Sequence, residues 1–225
     1  MELDSVTIFL DESIHPAKTN LTFVGAAAVL DPPEAEGKIV EKFQELSIEQ
    51  HRWRDLKKFE EFRAAGFHFT ADNEDIRKSF IDVLANIEYR SHIVYSGNPY
   101  SLDEVDLLIN LYFHLLKGII QRYENYEVTL VFEQNQKMDK LYRPLVAKLQ
   151  EELVSAGVTV SITVLRGKKS DPILAIPDYV MGLAAARLAD DSTDYKRVRF
   201  TDVARDLAHI MDFDAGRHSK RGKLD

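Results

Sequence analysis

Short runs of apolar and β-branched residues recur along the chain, and two of them stop abruptly at an acid. Residues 6–10 (VTIFL) break into Asp11, and residues 128–132 (VTLVF) end in Glu133. Strands with such continuous apolar runs are usually central, buried on both faces and part of a largely parallel sheet. Ligands bind beyond the carboxyl ends of the strands in such sheets. The pattern therefore predicts that both acids face one cleft.

The other periodic segments complete an alternation of strands and helices. A run over residues 21–30 is long enough to pair antiparallel with the first strand. Further strands are predicted over 90–96 and 158–165, and helices over 34–51, 74–87, 101–123, 138–156, 171–189 and 200–211. This order predicts an α/β fold with a mixed β-sheet flanked by helices.

Composition favours one globular domain. The chain has 225 residues, of which 45% are hydrophobic, enough for a sizeable core over residues 1–212. Residues 213–225 form a basic segment that we expect to be a disordered tail. No cysteine is present, which excludes disulfides, thiolate metal sites and cysteine nucleophiles.

The sequence also bears on location and charge. No apolar run approaches the ~20 residues that span a bilayer, and the acidic N-terminus is unlike a signal peptide. We therefore expect a cytoplasmic protein with no membrane contact. The formal net charge of -8 weakens a nucleic-acid interpretation. It does not exclude one, because a bound cation and a local basic patch can reverse the sign at a site.

A third acid extends the candidate site. Asp178 lies in the apolar segment 173–180, and three acids at strand or helix ends suggest a divalent-metal site, because hard cations bind oxygen ligands. Purely structural roles for these acids are the alternative. Asp11 and Glu133 are also ordinary strand-end residues, and Asp178 is also a helix N-terminal acid favoured by the macrodipole. His68, between two phenylalanines, is either a packed residue or a proton-transfer group.

Five short motifs carry a resemblance to a known family. They are IFLDES at 8–13, FVGA at 23–26, FHF at 67–69, FEQ at 132–134 and PDYVMG at 177–182. In their order and spacing they resemble ribonuclease-H-like proteins and, more closely, the bacterial domain-of-unknown-function 3800 family, from about residue 6 to about residue 188. The chain departs from that family in having residues 14–16 (IHP) after the first motif and Pro177 before Asp178.

The resemblance implies a ribonuclease-H-like fold and a metal-dependent nuclease that cleaves RNA or DNA. Asp11, Glu133 and Asp178 would hold Mg²⁺ or Mn²⁺, with His68 assisting catalysis. Family members also occur among bacterial genes for defence against phage and mobile elements. The alternative is a catalytically silent binding or regulatory module that acts through a protein partner, and a homodimer is compatible with either reading.

Overall fold

A seven-stranded sheet forms the centre of the protein. The structure, a computed structural model, describes residues 4–14, 19–53, 55–189 and 194–220. The strands are β1 Asp4–Ile14, β2 Thr22–Val29, β3 Tyr89–Ser96, β4 Tyr126–Glu133, β5 Ser161–Gly167, β6 Leu207–Asp212 and β7 Arg217–Lys220. The helices are α1 Pro32–Ser47, α2 Leu56–Ala65, α3 Glu74–Leu84, α4 Glu104–Ile120, α5 Tyr142–Ser155, α6 Ala175–Leu188 and α7 Asp194–Ala204.

The sheet is mixed, and its strand order is β5-β4-β1-β2-β3-β6-β7. The predicted antiparallel pair β1–β2 is present, and β1 runs parallel to β4 on its other side. The predicted fold class, an α/β fold with a mixed sheet flanked by helices, is confirmed.

Each face of the sheet is covered by its own group of helices. Helices α1, α2, α3, α6 and α7 share one apolar core with Phe9, whereas α4 and α5 share the other with Ile8 and Leu10. Successive side chains of a strand point to opposite faces. Asp11 therefore lies on the face of Phe9, which is the face that α6 covers.

Two glycines allow α6 to approach this face closely. Gly25 pairs with Asp11 across β1 and β2, and a Cβ atom there would lie 2.7 Å from the Met181 side chain. A Cβ atom on Gly182 would lie 2.1 Å from Cδ1 of Phe69. The close approach brings the first turn of α6 to the end of β1.

The C-terminal part of the chain differs from the prediction. The helix expected over residues 200–211 ends at Ala204, and β6 follows it in parallel pairing with β3. The expected disordered tail is wrong for residues 217–220, which form β7 against β6. The turn between them has a glycine, Gly216, at φ +62°, and Asp212 contacts Arg217 across the turn. Residues 221–225 of the tail lie outside the described residues.

The remaining boundaries agree to within a few residues. Among the largest shifts, β1 continues to Ile14 rather than ending at 10, and α1 ends at Ser47 rather than at 51. Similarly, α5 begins at Tyr142 rather than at 138, and α6 at Ala175 rather than at 171. Within the described ranges, the structure contains no helix long and apolar enough to cross a membrane.

Candidate active site

All four residues proposed from the sequence line one cavity. It has a volume of about 830 Å³, and Asp11, His68, Glu133 and Asp178 contribute to its wall. Leu10 of β1 pairs with Phe132 of β4, so Asp11 and Glu133 follow directly from paired positions and point to the same face. Strand register thus brings two acids together that are far apart in sequence.

Asp11 is buried among like charges. Its side chain is 7% exposed, and its Oδ1 accepts a hydrogen bond of 2.8 Å from the Glu12 amide. Burial raises the pKa of Asp11 well above its usual range, and a side-chain hydrogen bond with Glu133 and repulsion from nearby carboxylates raise it further. A proton or a cation bound beside Asp11 would offset this cost.

Asp178 and His68 form a second contact in the cavity. Asp178 lies in the first turn of α6, and its Oδ2 accepts a hydrogen bond of 2.9 Å from the Phe69 amide. The same oxygen lies 3.7 Å from Nδ1 of His68. The contact with the Asp178 carboxylate raises the pKa of His68, although burial of the ring opposes this. The imidazole is therefore disposed to hold a proton beside Asp178.

Asp72 supports the His68 segment, and sequence reasoning missed it. Its Oδ2 accepts hydrogen bonds from the His68 amide, at 2.9 Å, and from the buried Tyr179 hydroxyl. Burial raises the pKa of Asp72 to about 7, although both hydrogen bonds favour the charged form. Tyr179 is the neighbour of Asp178 on α6, so Asp72 links the His68 turn to that helix.

Asp72→Asn is expected to change how stability depends on pH. The folded-state pKa of about 7 lies above the unfolded value, so the Asp72 contribution is complete below about pH 4 and is lost as the pH rises to 7. One such group changes the free energy of unfolding by at most about 1.4 kcal/mol per pH unit. Urea unfolding between pH 5 and pH 8 should give a flatter profile for the variant than for the wild type. Parallel profiles would contradict this assignment.

Glu12 points away from Asp11 but is not a surface acid. The Tyr112 hydroxyl of α4 and the Asn135 side-chain amide both donate hydrogen bonds to its carboxylate. Burial raises its pKa, although these two bonds oppose the shift. Asp139 in turn holds Asn135 in place, because its Oδ1 accepts a hydrogen bond of 3.1 Å from the backbone amide of Asn135. Asn135 and Asp139 were not predicted as site residues, because the short turn after β4 carries no periodic sequence signal.

The cavity wall is predominantly acidic. Its acids are Asp11, Glu12, Glu133, Asp139 and Asp178. Lys169 is the nearby base, with Nζ 3.7 Å from Oε1 of Glu133 and a side chain that is 75% exposed. Asp171, seven residues before Asp178, lies outside this cavity and accepts a hydrogen bond from the Ile173 amide in a helical turn. The cavity is therefore suited to attract cations.

The carboxylate oxygens of the cavity are of the type that binds a hard divalent cation. Carboxylate oxygens are the ligands that Mg²⁺ and Mn²⁺ prefer. Burial and the nearby carboxylates raise the pKa of Asp11, and a bound cation would offset both effects. Within the described part of the chain, however, no three acidic or histidine side chains are already arranged around a common metal position. The side chains would therefore have to turn toward an ion as it binds.

A comparison with solved structures finds several chains of similar fold. A chain in the structure of the PCNA:RNase HII complex from Archaeoglobus fulgidus superimposes on this protein with a TM-score of 0.48 and 10% identity. The superposition covers 88% of each chain. Neither a scan against protein-family models nor a search of curated proteins finds a match.

Proposed function

We propose that the protein is a divalent-metal-dependent nuclease that hydrolyses phosphodiester bonds in RNA or DNA. The observation that supports this most is the meeting of Asp11, Glu133 and Asp178, from two strands and a helix, in one acidic cavity. The raised pKa of Asp11 supports it as well, because a structural acid cluster without a cation would be an unrelieved cost.

Five residues of the cavity have a role in this proposal. Asp11, Glu133 and Asp178 hold Mg²⁺ or Mn²⁺, which when bound stabilises the charge that develops in phosphoryl transfer. His68, kept protonated beside Asp178, delivers a proton toward the leaving oxygen. Lys169 is exposed at the rim, where its ammonium group can contact a substrate phosphate.

The family resemblance extends the proposal to biology. It suggests an effector that acts in the cytoplasm against phage or mobile elements. A nuclease of this kind has to be restrained in its own cell, so a protein partner or a homodimer that controls access to the cavity is part of the same hypothesis.

Metal titration and cleavage assays test the proposal together. Calorimetric titration with Mn²⁺ and Mg²⁺ should show binding to the wild type that weakens at least about tenfold in Glu133→Gln. Labelled single- and double-stranded RNA and DNA are added to the same samples, and at least one of these substrates should be cleaved by the wild type but not by Glu133→Gln. Glu127→Gln is the matched control, because Glu127 is an exposed glutamate on the same strand, and it should behave as the wild type.

The other outcomes are equally informative. Metal binding without cleavage of any substrate would favour the silent module that acts through a protein partner. Absence of metal binding would show that the three acids do not form the proposed centre.

A further inference from the structure

A second cavity lies on the opposite face of the sheet and is lined by four histidines. It has a volume of about 470 Å³ between α4 and the edge strands of the sheet. His92, His209 and His218 come from the three neighbouring strands β3, β6 and β7, and His114 comes from α4. The cavity shares no lining residue with the acidic one.

The strand histidines form a row across the sheet. His92 pairs with His209 in the parallel register, with ring centroids 6.4 Å apart. Nε2 of His209 lies 2.7 Å from Nδ1 of His218, a hydrogen-bond distance. His92 is buried, and burial, assisted by the charges of Arg122 and His209, lowers its pKa to about 3. His92 therefore stays neutral and offers a ring N–H near physiological pH.

The cavity combines these imidazoles with two permanent cations. Lys117 and Arg122, near the C-terminal end of α4, complete its polar wall, and the described residues that line it include no acid. The α4 dipole accounts for a Lys and an Arg at a helix C-terminus, but not for four histidines beside them. Glu152 contacts Lys117 from α5, which leaves Arg122 as the less neutralised charge.

We propose that this cavity binds the phosphate group of a phosphate-bearing ligand. Lysine, arginine and imidazole N–H groups are the donors that recognise phosphate oxygens, and hydrogen bonds between charged groups are the strong ones. A metal ion fits less well, because two fixed cations would repel it. No three of the described histidines and acids are arranged as ligands either. The inference does not depend on the proposed nuclease activity.

The phosphate group could belong to either of two ligands, a free nucleotide or a nucleic acid. A free nucleotide would place its phosphates among the imidazoles, whereas a nucleic acid would place a backbone phosphate beside Arg122. In a chain with a net charge of -8, a cationic pocket away from the acidic cavity would give a polyanion a second point of attachment.

Gly118 offers a test that leaves the histidines intact. It lies on α4 in the cavity wall, and a Cβ atom there would meet nothing within 4 Å. Glutamate at this position would place a negative charge inside the cavity, and glutamine would place a neutral side chain of the same size there. Comparing Gly118→Glu with Gly118→Gln therefore separates the effect of negative charge from the effect of filling the cavity. Glutamate and glutamine are both good helix formers, so both variants should fold.

The experiment follows imidazole resonances by NMR in the full chain during titration with inorganic phosphate, a nucleoside triphosphate and a short single-stranded DNA. We expect the resonances of His92, His209 and His218 to shift with at least one of them. Affinity should be about tenfold lower in Gly118→Glu than in Gly118→Gln. Preference for the triphosphate would identify a free nucleotide, and preference for DNA would identify a backbone site.

Three results would overturn the proposal. In the first, phosphate, the triphosphate and DNA would all leave the histidine resonances of the wild type unchanged. In the second, Gly118→Glu and Gly118→Gln would bind these ligands equally well. In the third, Zn²⁺ or Ni²⁺ would shift the same resonances while the phosphate ligands did not, which would make the cavity a metal site. Asp11-dependent cleavage, measured separately, is unaffected by any of these results, so the two proposals fail independently.

Discussion

Replacing Asp11 with asparagine is expected to abolish metal-dependent cleavage and, in the same variant, to make the apo protein more stable. Activity should fall by about a thousandfold or more, the scale of losing a charged group on which the transition state depends. The free energy of unfolding should rise by about 0.5–2 kcal/mol, as when a destabilising functional residue is relieved. Asparagine keeps the size of the side chain and removes the charge that Glu133 and Asp178 repel.

The direction of the stability change follows from the raised pKa of Asp11. A carboxyl group whose folded pKa exceeds its unfolded value contributes fully only below about pH 4, and it costs stability as the pH rises above that. The gain in Asp11→Asn should therefore be larger at pH 8 than at pH 5. Urea unfolding at both pH values, with cleavage assays on the same samples, measures both effects.

Asp82→Asn is the control for this comparison. Asp82 lies on α3 with a side chain that is 70% exposed, so its change should stay within about 0.5 kcal/mol and leave cleavage intact. If Asp11→Asn instead lost stability along with activity, Asp11 would be a residue that holds the strand end together, and the metal interpretation would lose its main support.

The parts of the fold and site that sequence could predict are those with a local signal. An uninterrupted apolar run that ends in an acid specifies a central strand, as in β1 with Asp11 and β4 with Glu133. The acid marks the end of β4, whereas β1 continues past Asp11 to Ile14 through its pairing with β2. Parallel pairing then brings the acids together without further information. Asp178 followed because it interrupts an apolar segment with a carboxylate.

The parts that were missed depend on contacts between distant residues. Residues 207–212 (LAHIMD) fit a helix as well as a strand, and only pairing with β3 decides between them. Asp72 is tied to Tyr179 across 107 positions, and Asn135 to Glu12 across 123. The histidine row was missed for the same reason, since it exists only once β6 and β7 have joined the sheet.

Gly182→Ala is expected to damage the candidate active site although glycine has no side-chain functional group. A Cβ atom there would lie 2.1 Å from Cδ1 of Phe69, closer than any real contact. The Phe69 ring is buried, packs edge-on against Tyr179 and lies under the Arg77 guanidinium, and these contacts restrict its movement. The Phe69 backbone must shift instead, and its amide would lose the hydrogen bond to Asp178.

The expected loss is about 1–3 kcal/mol in the free energy of unfolding, together with most of the cleavage activity. Gly118→Ala is the matched control, because it makes the same change inside another helix where nothing lies within 4 Å, and it should raise stability by about 0.5–1 kcal/mol. Adding Phe69→Leu to Gly182→Ala should recover part of the loss, since the smaller side chain makes room for the methyl group. A Gly182→Ala protein that melts and cleaves like the wild type would show that close packing of α6 on Phe69 does not position Asp178.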